Sequence, residues 1–212
     1  MMAAVGSSLP QVLATWALLL ALWVGAAAVL LGSPVGRQAL VDERVRVVEA
    51  VGGIVDDPAY AALQAQPPYW IYFSSGGRAL LFPAVTLAVA LGLYLWAGRR
   101  HAGFVAALSV AVHASLALVL QQLVATPLHV VRESLTSPFN LAALLPVFDE
   151  GSLPARFLGT VELFGLWWVL LLAIGCGALT GRPARDYVLP LLGVYVSVAG
   201  IIAALVVLTG GS

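Results

Sequence analysis

The chain has 212 residues, 61% hydrophobic and 9% charged, with ten basic residues against ten acidic. Soluble domains average roughly 45–50% apolar and about 25% charged residues, so this chain lacks the polar surface to face water and lipid is the expected solvent. A net charge of zero leaves no basic excess for a nucleic-acid partner, and the single cysteine, Cys176, cannot close an internal disulfide and reads as a small buried apolar residue.

The first apolar run, residues 9–31, is too long for a signal-peptide core of about 7–15 residues. No Arg or Lys precedes it. It is expected to be a retained first membrane span, ended by Gly32-Ser33-Pro34. Residues 32–78 form the largest polar section. Within it, residues 37–51 read as an amphipathic helix with Val41, Val45, Val48 and Gly52 on one face, stopped by Gly52-Gly53. Asp57-Pro58 reads as a cap and first-turn proline that open a short helix through Gln66. Tyr69, Trp70, Tyr72 and Phe73 then form an aromatic cluster suited to the headgroup layer.

Residues 79–97 carry no charge and make a second span. The turn Arg99-Arg100-His101 is so short that the third span, residues 102–126, folds back on the second as an antiparallel hairpin. His113 lies near its middle, Gln121 and Gln122 lie near its end, and Pro127 marks a kink or the exit from the membrane. In the second polar section, residues 128–156, Ser137-Pro138 reads as a helix start. Phe139, Leu141, Leu144, Leu145, Val147 and Phe148 are too apolar for a free loop, so a short interfacial helix closed by Asp149-Glu150-Gly151 is expected. A fourth span, residues 157–180, and a fifth, residues 187–208, are joined by the tight turn Gly181-Arg182-Pro183. The expectation is one domain over residues 1–212. It is all-α: a five-transmembrane-helix bundle with a short amphipathic segment between spans one and two and an interfacial helix between spans three and four.

Five spans put the two ends on opposite sides. The short turns on the N-terminal side hold Arg99, Arg100, Arg182 and Arg185, and the longer loops opposite hold Arg37, Arg44, Arg46, Arg78, Arg132 and Arg156. Basic residues orient a chain most strongly from short loops beside span ends, which places the N-terminus in the cytoplasm despite the raw count.

Glu162 is the residue that most needs explaining. A carboxylate at the centre of a spanning helix costs about 2.5–3.5 kcal/mol on insertion scales, and this one falls about two turns into the fourth span. It reads either as a proton-binding or polar contact site, or as a structural acid that caps a loop or pairs with another helix. Gln121 and Gln122 end span three on the side where span four begins, and His113 is the other polar group of that span. These four residues form the candidate intramembrane polar site. His101, His113 and His129 share no metal-ligand spacing, and no phosphate loop, nucleophile elbow or HExxH occurs. No catalytic residue, metal or cofactor is expected. Small residues recur at four-residue spacing at Ala17/Ala21/Gly25, Ala84/Ala88/Gly92, Ala107/Ala111/Ser115 and Ala173/Gly177/Gly181, as in closely packed helices.

Residues 100–208 resemble the bacterial branch of the Yip1 family. The resemblance rests on a basic turn leading into Phe104, Leu108, Ser109 and Val110. It continues in Ser137-Pro-Phe-Asn-Leu-Ala-Ala-Leu-Leu-Pro146 and in an acid-Leu-Phe-x-x-Trp pattern, here Glu162 to Trp167, that runs into residues 171–175. The family usually has Asp where this chain has Glu162. The resemblance implies a five-span bundle with a cytoplasmic N-terminus, in a bacterial or archaeal cell membrane. Eukaryotic members bind Rab GTPases through a cytoplasmic N-terminal region, and the eight residues before span one leave no room for such a role. The expected function is that of a non-enzymatic multi-pass membrane scaffold or organising factor whose one clear partner is the lipid bilayer. The rival is a small transporter or channel subunit that uses Glu162 and the polar residues of span three.

Overall fold

A computed structural model describes residues 8–50, 54–65, 69–98, 102–133, 137–144 and 153–208. Among these the chain is helical, with one isolated backbone bridge and no strand. Helix α1 spans Leu9–Gly32 and opens with the Gln11 side chain accepting from the Ser8 N–H at 3.0 Å. Ser33 ends α1 and starts α2, Pro34–Ala50: its hydroxyl donates to the Leu30 carbonyl and accepts from the Gly36 N–H. Proline fits the first position of α2 because its missing N–H has no partner to lose there. Gly36 is required by the turn, since a Cβ there would lie 2.1 Å from the Leu30 carbonyl oxygen.

Helix α3, Asp57–Gln64, is capped by Asp56, one residue before the Asp57 cap expected from sequence. The Asp56 carboxylate accepts from the Ala59 N–H at 3.0 Å, and Asp57 becomes a first-turn acid that suits the helix dipole. Tyr60 donates to Asp42 at 3.1 Å, and Gln64 donates to Gln38 at 3.2 Å, tying α3 to α2. The Gly52-Gly53 stop, Gln66, the Arg99-Arg100-His101 turn and Asp149-Glu150-Gly151 lie outside the described residues.

Helix α4, Tyr69–Leu93, starts before the apolar run expected at residue 79, so the aromatic cluster sits in its first turns. It runs into a π-helical turn, Tyr94–Gly98. The third apolar segment is α5, Phe104–Ala114, followed by α6, Leu116–Arg132. Between them Ser115 turns its hydroxyl back onto the Ala111 carbonyl at 2.8 Å, a bond that bends helices. Pro127 does not end the helix, which continues to Arg132 and closes on Glu133 with a left-handed φ of 49°. Ser137-Pro138 begins a turn and not a helix; among the described residues between α6 and residue 153, Leu141–Leu144, α7, is helical.

The expected fourth span is broken. Helix α8, Leu153–Thr160, stops two residues short of α9, Leu163–Thr180. Helix α10, Arg185–Leu208, follows the glycine turn at Gly181, whose φ is 72°. Three described stretches are long and apolar enough to cross a membrane: Leu9–Gly32, Phe104–Arg132 and Leu163–Thr180. Leu80–Trp96 is a shorter apolar helix.

Helix α5 is the centre of the bundle. Ala107, Leu108, Ser109, Val110, Ala111, Val112 and Ala114 are buried on it, and α1, α4 and α9 pack around it. The small-residue stripes divide accordingly. Ala107/Ala111/Ser115 is buried in the core, and Ala173 and Gly177 are buried on α9. Ala17/Ala21/Gly25 and Ala84/Ala88/Gly92 instead point outward, while Val12 and Leu19 on α1 and Phe82, Thr86 and Ala90 on α4 turn inward. Trp23 stacks on Phe82 with centroids 5.4 Å apart, joining α1 to α4.

Candidate functional site

The two residues between α8 and α9 are where the chain gathers its polar contacts. Thr160 and Val161 are β-branched, which weakens a helix locally. The Thr160 hydroxyl donates to the Phe157 carbonyl at 2.7 Å and lies 3.3 Å from the Ala199 carbonyl of α10. Glu162 is extended, with φ −97° and ψ 139°, and stands at the N-cap of α9.

A break in an apolar bundle is tolerated only if its freed backbone groups find partners. They do so here. The Val161 carbonyl accepts from the Leu141 N–H at 2.9 Å, and the Leu163 N–H donates to the Phe139 carbonyl at 2.9 Å. These two bonds flank an antiparallel bridge between Asn140 and Glu162. The Glu162 N–H donates to the Tyr195 hydroxyl of α10 at 3.1 Å, and its carbonyl accepts from Leu166 as α9 begins.

Side chains complete the arrangement. The Ser137 hydroxyl donates to Glu162 Oε2 at 2.8 Å across 25 residues of sequence. Asn140 is buried; its amide donates to the Ser137 carbonyl at 2.9 Å, and its Oδ1 accepts from the Ala143 N–H at 2.7 Å, which starts α7. Phe139 meets Phe164 edge-on with centroids 5.2 Å apart. Gly165 lets Tyr195 approach, since a Cβ there would lie 2.1 Å from its hydroxyl oxygen. The loop of residues 137–140, the break and α10 therefore form one clasp.

Glu162 itself is half-buried, one residue ahead of Leu163–Thr180. Burial raises its carboxyl above the usual carboxylate range; the Ser137 hydrogen bond and the nearby His129 act in the other direction without cancelling it. His129 is buried in the last turn of α6.

Among the described residues no hydrogen bond joins Glu162 to His113, Gln121 or Gln122. Glu162 bonds to Ser137 and Tyr195, and neither Gln121 nor Gln122 reaches it among the described residues. His113 donates from Nδ1 to the Ser109 carbonyl of its own helix at 2.7 Å, and so is tied locally on α5. The continuous helix assumed over residues 157–180 is the reason for the difference. It put Glu162 inside a span and aimed it at span three, whereas the break turns it toward the 137–140 loop. Hydropathy and spacing do not mark Ser137, Asn140, Tyr195 and His129 as its neighbours. The one signal for two of them was that Ser137-Pro-Phe-Asn and Glu162-Leu-Phe both carried the resemblance.

The clasp holds one carboxyl, two hydroxyls and an amide, all engaged with the chain. Among the described residues no three His, Cys, Asp or Glu side chains converge to hold a metal ion. No family model, curated protein or solved structure matches the chain.

Proposed function

We propose that the chain is a non-enzymatic multi-pass membrane protein of Yip1 type that acts as a membrane scaffold or organising factor. In this reading α1, α4, the α5–α6 pair, α9 and α10 are its five spans, with the N-terminus in the cytoplasm. One observation supports it above others. The two segments on which the Yip1 resemblance rests, from Ser137 and from Glu162, are hydrogen-bonded to each other as one structural unit. An acid so engaged serves to hold the chain's own backbone at a helix break, as a structural landmark does. The transporter reading draws on His113, Gln121 and Gln122, and among the described residues no hydrogen bond joins them to Glu162.

Two measurements test the proposal. Reporter fusions at each end, read for cytoplasmic or external activity, are expected to place the N-terminus inside and the C-terminus outside. Ends on one side overturn the five-span topology. Proteoliposomes loaded with a pH-sensitive dye are expected to show no proton flux above empty vesicles, with parent and Glu162→Gln alike. A flux that Glu162→Gln abolishes replaces the scaffold with a transporter.

A further inference from the structure

Two short connections meet at one end of the bundle, that from α4 to α5 and that from α9 to α10. Ring contacts join them. Trp96, in the π-helical turn Tyr94–Gly98, meets Tyr187 of α10 edge-on with centroids 5.4 Å apart. Tyr94 of the same turn meets Phe104, the first residue of α5, with centroids 5.9 Å apart. The π-helical turn also packs on α9.

The turn from α9 to α10 is held from several sides. Gly181 closes α9 in the left-handed conformation, its N–H donating to the Gly177 carbonyl at 2.9 Å. Gly177 leaves room for the chain to fold back, since a Cβ there would lie 2.8 Å from the Arg182 carbonyl oxygen. Tyr187 is buried and its hydroxyl donates to Thr180 Oγ1 at 2.7 Å; Thr180 in turn donates to the Cys176 carbonyl at 2.8 Å. None of these bonds uses the side chain of Arg182 or Arg185, and both arginines are exposed. Asp186 lies 3.8 Å from Arg185, with the two side chains 50% and 86% exposed. An ion pair so open to solvent is weak and leaves the guanidinium free to exchange partners.

Trp96 is more than half exposed. An indole at the end of an apolar helix favours the headgroup layer, so it sets the depth of the arginines beside it. Leu95, next to Trp96, and Leu189, one turn into α10, are exposed apolar surface of the kind acyl chains cover. Guanidinium meets phosphate through parallel N–H bonds and carries its charge at any working pH. Counted from the sequence, residues 94–103 and 181–187 hold four Arg against Asp186; Arg99 and Arg100 lie outside the described residues and enter this count by charge alone. A cationic turn at headgroup depth above exposed leucines is complementary to a lipid that has net negative charge.

We propose that Arg182 and Arg185, on the turn that Trp96 joins to the end of α4, dock the phosphate of an anionic phospholipid such as phosphatidylglycerol. The docking rests on the chain's lying in a bilayer, and not on the Yip1-type reading or on which end is cytoplasmic.

The test measures binding of the first lipid to the full chain in mild detergent by native mass spectrometry. The probes are phosphatidylglycerol and phosphatidylcholine with the same acyl chains. Phosphatidylglycerol is expected to bind more tightly, and Arg182→Gln and Arg185→Gln, made singly and together, are each expected to weaken it by up to about fivefold with little change for phosphatidylcholine. Arg132→Gln is the control. It removes the same charge from an exposed arginine at the far end of the apolar stretch that begins at Phe104, and should leave the preference intact. Equal binding of the two lipids, a preference that survives loss of both arginines, or an equal loss in Arg132→Gln overturns the proposal. Displacement of phosphatidylglycerol by inorganic phosphate at the same concentration overturns it too, because the turn then holds a free anion and not a lipid. Binding of neither lipid overturns the membrane reading along with it, which separates the two failures.

Discussion

Gly165 and Tyr195 share one space: a Cβ on Gly165 would lie 2.1 Å from the tyrosine hydroxyl oxygen and 2.7 Å from the ring carbon that bears it. That hydroxyl is the partner of the Glu162 N–H, so the absence of a side chain on α9 is what lets α10 close the helix break. Gly165→Ala is expected to lose about 1–3 kcal/mol, the usual cost of overpacking. Gly193, on α10, has nothing within 4 Å of a built Cβ. There the same substitution should gain about 0.5–1 kcal/mol from helix propensity. Thermal unfolding in mild detergent checks the pair, and similar shifts at both sites would refute the packing account.

Ser137 and Glu162 are expected to be energetically coupled. Removing a hydrogen bond of this kind by Ser137→Ala costs about 0.5–1.5 kcal/mol. In a double-mutant cycle with Glu162→Ala, which removes the acceptor, an interaction energy of about 0.5 kcal/mol or more marks a real contact. Ser197, exposed on α10 and bonded to its own Gly193 carbonyl, is the control. Ser197→Ala should stay within about 0.5 kcal/mol of the parent. Additive losses at Ser137 and Glu162 would show that the clasp bond contributes nothing.

Gly175 on α9 faces Val110 at the centre of α5, where a Cβ would come within 2.1 Å of Cγ1. Gly175→Ala is expected to cost about 1–3 kcal/mol. Val110→Ala opens a void of its own, so each single change destabilises. Together they should destabilise less than the sum, by about 0.5–3 kcal/mol, because the new methyl fills the vacated space. Unfolding free energies of the four chains give this directly.

Gly36 is limited by backbone and not by a side chain. A Cβ there would meet the Leu30 oxygen at 2.1 Å and the Leu31 Cα at 2.7 Å, and neither can rotate away. Gly36→Ala is expected to cost at least about 1–3 kcal/mol and to loosen the joint between α1 and α2. Gly32→Ala, four residues earlier with nothing within 4 Å, should be close to neutral. Limited proteolysis at the joint distinguishes them: faster cleavage in Gly36→Ala alone is the expected pattern.

The helices were legible in the sequence because hydropathy and terminators act locally. The Gly32-Ser33-Pro34 stop stands where the hydroxyl of Ser33 bridges two helices. The Asp-Pro pair marks the helix start one residue past the true cap, since two adjacent acids offer the same chemistry and only geometry chooses Asp56. Glu162 was legible as the residue needing an explanation, but its neighbours were not. Residues 157–180, apolar but for Thr160, Glu162 and Thr180, look like one helix. The partners that make a break affordable come from Phe139, Leu141 and Tyr195, at separations that leave no periodic trace. Likewise the spacing of small residues could not say which stripes face inward. Ala84/Ala88/Gly92 has the same pattern as Ala107/Ala111/Ser115, yet one points out and the other is the core, because burial is decided by which helix lies in the middle.

Breaking the chain at Glu162 leaves α9 with 18 residues, while Phe104–Arg132 runs to 29. Their rises are about 27 Å and about 43 Å, against a hydrocarbon slab about 30 Å thick. The shorter rod has no surplus to spend on leaning, and the longer one must tilt or stand proud of the slab. In a bilayer the side of the molecule along the broken helix would therefore present the shortest apolar flank of these two, and the side along the longer stretch the tallest.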